Sequence, residues 1–386
     1  MKYGKRLFGA ICALVAASCG HEELPQPTID AAYVSLEDVA VLLASLPIGT
    51  EQMEEVHDAA SSSAGNGYDE EYRMRDLLAN PGRGVGETGN TKAREYLRPM
   101  RDLLAEALAR TKASGDEDRT EAYLAALSLS DVQIYWPFSE RWDGTALPVI
   151  TYDPGDEAAV RNVGYALRPD GGVEKLVVDE QMASERPVWV VNRNSDADYK
   201  SLELRRREDP SWGSGGGDIM VLPDTKADSE FMNLVLRSFK AMRQFDCWFA
   251  GGSEFFVKMG AIDDFSASTE AELRLYEPSI TDFMIVVRRS QVGEAVPFNA
   301  ILVSEWTKDL YSSAFMIIED DGGTRTSWKT SAVVKYNSKS YGFEIEIPLN
   351  TRDDIVWRGA LTRDFIKKYS GKTCAFGDVE LVLELI

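Results

Sequence analysis

Histidine is almost missing. His21 and His57 are the only imidazoles among 386 residues. Their scarcity removes Ser-His-Asp and Cys-His nucleophilic catalysis, HExxH zinc hydrolysis and most histidine-held transition metals from the bulk of the chain. Cysteine is scarce as well, at Cys12, Cys19, Cys247 and Cys374. Two late thiols do not complete a structural zinc site by themselves. Positive charge is in deficit: 42 Lys and Arg stand against 63 Asp and Glu, a formal charge of −21. Phosphate backbones need a basic face, so a nucleic-acid partner is excluded. No apolar run approaches the roughly 20 residues of a membrane-crossing helix. Gly82, Gly84, Gly86 and Gly89 come without a lysine, which argues against a phosphate loop. No GxSxG or SxxK motif sits in a strand–turn–helix context, and Ser214 in WGSGGG reads as a loop serine. What remains is ordinary globular composition, 44% hydrophobic and 27% charged, long enough for about two or three domains.

The N-terminus is organised for export. Lys2, Lys5 and Arg6 precede an apolar stretch from Phe8 to Ala17, the layout of a secretory signal. Ala16-Ala17-Ser18-Cys19 resembles the bacterial lipobox, in which cleavage precedes the cysteine and its thiol receives diacylglycerol. The usual leucine three residues before the cysteine is replaced by Ala16, with Leu14 and Val15 just upstream. The alternative is a plain signal peptide cut elsewhere, with Cys19 incidental. Loss of residues 1–18 would take the charge from −21 to −24. Acyl chains contribute about 0.8 kcal/mol per buried methylene, so a multiply acylated Cys19 anchors firmly. Gly20-His21-Glu22-Glu23 resembles the surface-export signal of Bacteroidetes lipoproteins; a merely solvated acidic tether is the competing reading.

Periodicity predicts an α+β protein with a helical N-terminal region followed by an antiparallel β-rich region and a C-terminal β-sandwich, its loops placed as in C2-type domains. The divisions are a signal (1–18), a tether (19–34), a helical region (35–130), a β-rich region (131–222) and the sandwich with one flanking helix (223–386). Ser35 and Asp38 resemble a capping box before Leu36, Val39, Leu43 and Leu46. Further helices are expected over 51–60, 68–79, 91–112, where Leu97, Met100, Leu104 and Leu108 share a face, and 120–127. Strands are expected over 132–136, 147–152, 163–167, 173–178 and 188–191, separated by Asp/Gly turns. Residues 228–243 predict a helix carrying Phe231, Val235, Phe239 and Met242 on one face. Beyond it, short strands are expected at 248–249, 255–259, 272–275, 283–287, 300–303, 314–318, 332–336, 343–347 and 379–385.

Chemistry left to the chain is carboxylate chemistry. Asn192, Asn194, Asp196 and Asp198 offer oxygens at alternate positions, as calcium loops do, but lack the central glycine and distal glutamate of an EF-hand. A polar turn after a strand is the plainer reading. Glu319-Asp320-Asp321-Gly322-Gly323 and Asp353-Asp354 could meet at one end of the sandwich and hold calcium, or stand as acidic turns. A pair of such carboxylates could also serve as acid and base in glycoside hydrolysis. Trp136 and Trp142 lie in an aromatic cluster that makes either a sugar-binding platform or part of the core. Cys247 and Cys374 form a disulfide or pack as two thiols beside Trp248 and Phe376.

Five runs, GNGYDEEY (65–72), VQIYWPFSERWDG (132–144), RPVWVVNRN (186–194), FDCWFAGGSEFFVKMG (245–260) and residues 317–359, resemble a set of uncharacterised Bacteroidetes lipoproteins. The resemblance covers most of the mature chain. It implies a cell-envelope location and one shared fold, and transfers no catalytic residue. The expectation is an outer-membrane, lipid-anchored protein facing the periplasm or the cell surface. It would meet the membrane through its lipid and act as a binding or structural module on a protein or glycan ligand. A glycan hydrolase using carboxylates and a calcium-stabilised adhesin-like protein are the alternatives. Labelled palmitate is expected to enter the expressed chain, and Cys19→Ala to block incorporation and release the protein into the soluble fraction. Equal labelling of the variant would contradict lipidation at Cys19.

Overall fold

Ser35 opens the first helix. Its hydroxyl accepts the Asp38 amide, and Glu37 and Asp38 supply negative charge to the positive end of α1 (Leu36–Ala44). In α2 (Thr50–Gly65) Gln52 performs the same service, its carbonyl oxygen accepting the Gly49 amide at 2.9 Å. The computed structural model describes residues 27–28, 30–79, 96–110, 117–168, 172–194, 199–209, 231–263, 265 and 267–386, and every structural statement concerns these. Cys19, Asp196, Asp198 and Ser214 lie outside them.

The chain is α+β. Strand β1 (Glu71–Arg73) runs into α3 (Met74–Ala79), followed by α4 (Met100–Arg110) and α5 (Glu117–Leu129). Residues 71–73 were expected to be helical. They pair instead with β2 (Val132–Tyr135), Glu71 opposite Tyr135, and buried Glu71 accepts Asn194 Nδ2 from just beyond β6. Pro99 delays α4, since the residue before a proline avoids helical geometry. Leu97, expected on the buried face of that helix, is therefore 93% exposed.

Strands β3 (Val149–Tyr152), β4 (Arg161–Leu167), β5 (Val173–Asp179) and β6 (Val188–Arg193) complete a six-stranded sheet in the order β1-β2-β6-β3-β4-β5. Only β3 and β6 run parallel, and α6 (Glu180–Glu185) links β5 to β6. The helices cover one face, where Ile134, Ile150, Tyr165, Trp189 and Val191 point. The opposite face presents Tyr135, Val149, Val178, Val188 and Val190 to Trp248 and Phe249 from a distant loop. Cover on both faces explains why β6 reads as an unbroken apolar run, Val-Trp-Val-Val.

After α7 (Leu202–Glu208), β7 (Phe231–Ala241) replaces the helix expected over 228–243. A spacing of four residues satisfies both the helical period and the strand period of two, so Val235 and Phe239 could not separate the two readings. Partners on both edges decide it. β7 lies between β10 (Val296–Thr307) and β16 (Val379–Leu385), with β15 (Lys372–Phe376) beyond β16. The facing sheet has the order β13-β12-β11-β8-β9: β8 (Ser253–Ala261), β9 (Ser279–Val287), β11 (Leu310–Glu319), β12 (Arg325–Tyr336) and β13 (Lys339–Asn350). Strand β14 (Asp354–Thr362) pairs with β11. The two sheets pack as a sandwich around Leu234, Leu236, Phe239, Phe255, Val257 and Phe315. Two more expectations fail here: 272–275 spans the end of the short helix α8 (Glu270–Leu273), capped by Thr269, and the turn after it, and 248–249 is a turn. Helix α9 (Arg363–Tyr369) joins β14 to β15. Among the described residues no helix is long and apolar enough to cross a membrane.

Gly164 in β4 lies closely against side chains of β3 and β5. A Cβ there would lie 2.1 Å from Val178 Cγ2 and 2.9 Å from Val149 Cγ1. Gly164→Ala is expected to lower stability by about 1–3 kcal/mol in denaturant unfolding, with Val178→Ala in the same chain restoring part of the loss.

Candidate functional site

The connections at one end of the sandwich meet the end of the N-terminal sheet and enclose a cleft of about 620 Å³. Asp153, Asp156 and Glu157 enter from the β3–β4 connection, and Arg193 from the end of β6. Asp246 and Cys247 come from the loop before β8, and Glu254 from β8 itself. Asp320, Asp321, Arg352 and Asp354 close the far side.

The acidic turns after β11 and before β14 lie side by side. Arg352 donates from Nε and Nη2 to the Asp321 carbonyl at 3.0 and 2.7 Å. Asn350 bridges the two turns: its Nδ2 donates to Asp320 Oδ1 at 3.2 Å and its amide to Asp353 Oδ2 at 2.7 Å. Gly323, at φ +104°, permits the approach, because a Cβ there would lie 2.8 Å from Thr351 Oγ1. Asp320, Asp321, Asp353 and Asp354 thus share one end of the sandwich. Asp320 and Asp353 are both engaged by Asn350.

The convergence deeper in the cleft involves other residues. Oxygens of Asp246, Glu254 and Glu319 lie within 4.8 Å of one another. Glu319 ends β11 where that strand is paired on both sides, opposite Phe255 of β8 and Asp354 of β14. It is 0% exposed, and neither of its oxygens has a hydrogen-bond partner; Asp246 Oδ2 is buried in the same condition. Burial, with Asp246 and then Asp321 close by, drives the Glu319 pKa far above the carboxylate range. Burial also raises Asp246, partly offset by Glu319 and Arg289. Asp321 is pushed up to about 6 by burial and by Asp246 and Asp354. Asp246 and Glu254 escaped the sequence reading because sequence distance separates them from Glu319. The available signal was Glu319 itself, a charge that continues the apolar run Ala-Phe-Met-Ile-Ile of a strand.

The other candidates lie elsewhere. Asn192 is inside β6 rather than in a turn, and its Nδ2 donates to the Phe249 and Ala250 carbonyls at 3.0 and 2.5 Å. Asn194 Nδ2 donates to Glu71 Oε2 at 2.8 Å and Gln133 Oε1 at 3.0 Å. Both amides are committed to joining elements. Trp136 is core, packed edge-on against Trp189, so it offers no exposed platform. Trp142 lies half-buried against His57 and Trp136, its Nε1 donating to the Ala146 carbonyl. A separate pocket of about 190 Å³ runs beside these two tryptophans and shares no residue with the acidic cleft. Cys247 and Cys374 are free thiols in different clusters, Cys247 beside Trp248 and Cys374 on the sandwich core. Comparison of the chain with protein-family models, curated proteins and solved structures gave no match.

A second group of buried carboxyls serves the fold. Asp69 accepts the Gly252 and Glu70 amides, and Glu70 accepts the amides of Phe138 and Ser139 and the Ser139 hydroxyl. Those bonds hold Phe138 at φ 59°, a left-handed conformation uncommon for a large side chain. Glu55 accepts the Tyr72 hydroxyl at 3.2 Å and the Met100 amide at 2.6 Å. Burial nevertheless raises its pKa from 4.5 to about 7. The folded chain therefore keeps this proton where the unfolded chain has released it. Stability from this group is fully present below pH 4.5 and is lost as pH rises towards 7. Glu55→Gln is expected to flatten the fall in unfolding free energy between those limits by on the order of 3 kcal/mol, measured by urea unfolding across the pH range.

Proposed function

We propose that this protein is a lipid-tethered lipoprotein of the outer membrane that binds a positively charged ligand, a basic protein segment in the first place, in the acidic cleft. The cleft carries the reading: eight carboxyl groups and only two guanidinium groups line it. A concave wall of one sign concentrates its field and draws in the opposite charge. Arg193 is already paired with Asp131, and Arg352 is turned to a backbone carbonyl, so neither offsets the wall fully. The lipobox-like Ala-Ala-Ser-Cys and the resemblance to Bacteroidetes lipoproteins support an envelope location.

Binding fits the geometry better than glycan hydrolysis. Carboxyl pairs that hydrolyse glycosides stand roughly 5–5.5 Å apart in retaining enzymes and roughly 6.5–9.5 Å apart in inverting ones. The converging carboxyls are closer than that, and Glu319, whose pKa burial raises, has no exposed surface.

A decalysine peptide is the probe. Asp156→Asn, Glu157→Gln and Asp321→Asn together are expected to weaken its binding by about tenfold at physiological salt, read by fluorescence anisotropy. Neutralising the exposed Glu174, Glu344 and Asp364 removes the same charge elsewhere and is expected to leave affinity within about twofold. Equal losses in both triple variants would reduce the effect to net charge and overturn the assignment to the cleft.

A further inference from the structure

We propose that Asp246, Glu254 and Glu319 form a calcium site in the floor of the cleft, and that the bound ion pins the 242–252 loop to the sandwich. The proposal depends on the cleft reading for its location only.

Three carboxylate oxygens within 4.8 Å of one another can all reach a single ion, because calcium holds its oxygens at about 2.3–2.6 Å. The independent sign is Glu319. A buried carboxyl normally satisfies its oxygens with amides, hydroxyls or a cation. Neither Glu319 oxygen has a hydrogen-bond partner at bonding distance, although the Ser253 hydroxyl is close enough to favour its charged form, and it faces two more carboxyls. Among the described residues no lysine or arginine pairs with it: Arg289 donates instead to the Gly251 and Asp246 carbonyls, and Arg352 to the Asp321 carbonyl. A divalent ion supplies the missing positive charge and leaves room for further oxygens from water or Asp321. The donor set is all oxygen, which selects a hard cation over zinc or copper. Cys247, next to Asp246, packs beside Trp248 and is not part of the set.

The site joins two parts of the fold. Glu254 and Glu319 belong to paired strands of the sandwich, β8 and β11. Asp246 belongs to the loop that carries Trp248 and Phe249 under the N-terminal sheet. An ion held by all three fixes the root of that plug. Without it, Asp246 and Glu319 crowd two carboxyls into one buried space.

The test uses the mature chain, freed of metal by chelator, at pH 7. Calorimetric titration with calcium chloride is expected to show one site, and excess calcium to raise Tm by several degrees. Glu319→Gln and Glu254→Gln are each expected to lose at least about tenfold in affinity, while Asp156→Asn on the rim keeps it. Glu254→Gln alone decides the matter should Glu319→Gln fail to fold. No heat and no Tm change up to about 10 mM calcium would overturn the site, as would either variant titrating like the parent or magnesium binding as tightly as calcium. Calcium binding without any effect of the rim substitutions on decalysine would leave this site standing and remove the proposed ligand. The converse result would remove only the calcium.

Discussion

The positions of the two halves of this protein are set by polar groups buried at their seam. Asp69, on the N-terminal side, accepts the Gly252 amide at 2.6 Å. Arg289, on the sandwich side and almost fully buried, donates to the Gly251 and Asp246 carbonyls at 2.9 and 2.8 Å and stands 3.6 Å from Glu180 of α6. Asn192 donates twice to the same loop. An unpaired buried amide, carbonyl or charge costs several times what a satisfied bond contributes. The 242–252 loop therefore has few positions in which all these groups remain paired. Apolar packing of Trp248 and Phe249 drives the halves together, and the polar set fixes their register.

The short run Tyr68–Tyr72 is the counterpart on the N-terminal side. Each residue reaches a different element: Tyr68 the Tyr199 carbonyl, Asp69 the seam loop, Glu70 the turn after β2, Glu71 the end of β6, and Tyr72 helix α2. Three consecutive buried carboxyls are expensive to desolvate. Their pKa values show that the hydrogen bonds do not fully offset burial, since Asp69 and Glu70 are both raised, chiefly by desolvation. Such a network favours one arrangement of the chain over near alternatives more than it adds to stability.

Much of the architecture was legible because one face of each element is wet. Strands β12 and β13, with the alternation of Phe343, Glu344, Ile345, Glu346 and Ile347, declare themselves through the period of two. Legibility failed where both neighbours are protein. β7 carries apolar residues at a spacing common to helix and strand, and only its pairing with β10 and β16 resolves it. β1 is three residues long and owes its state to partners far along the chain. The same limit governs the site. The turns at 319–323 and 350–354 are local in sequence, and their acidity could be read directly. The convergence of Asp246 and Glu254 on Glu319 depends on strand order, because β8 pairs with β11 across more than fifty residues.

Glu319 is a local cost that the fold carries at its seam. The end of a central strand is a poor place for a carboxyl: water is excluded, the neighbouring backbone is already paired, and Asp246 adds like charge. A hydrophobic residue of similar volume would be more stable there. The fold tolerates the charge because stability is drawn from large apolar clusters, around Phe239 and Phe315 in the sandwich and around Trp189 in the N-terminal sheet. Local destabilisation of this kind is the usual mark of a group placed for a ligand rather than for packing. It also explains why the cleft lies at the seam. Three chain segments that are far apart in sequence end there, and each brings carboxyls whose mutual repulsion raises their pKa values.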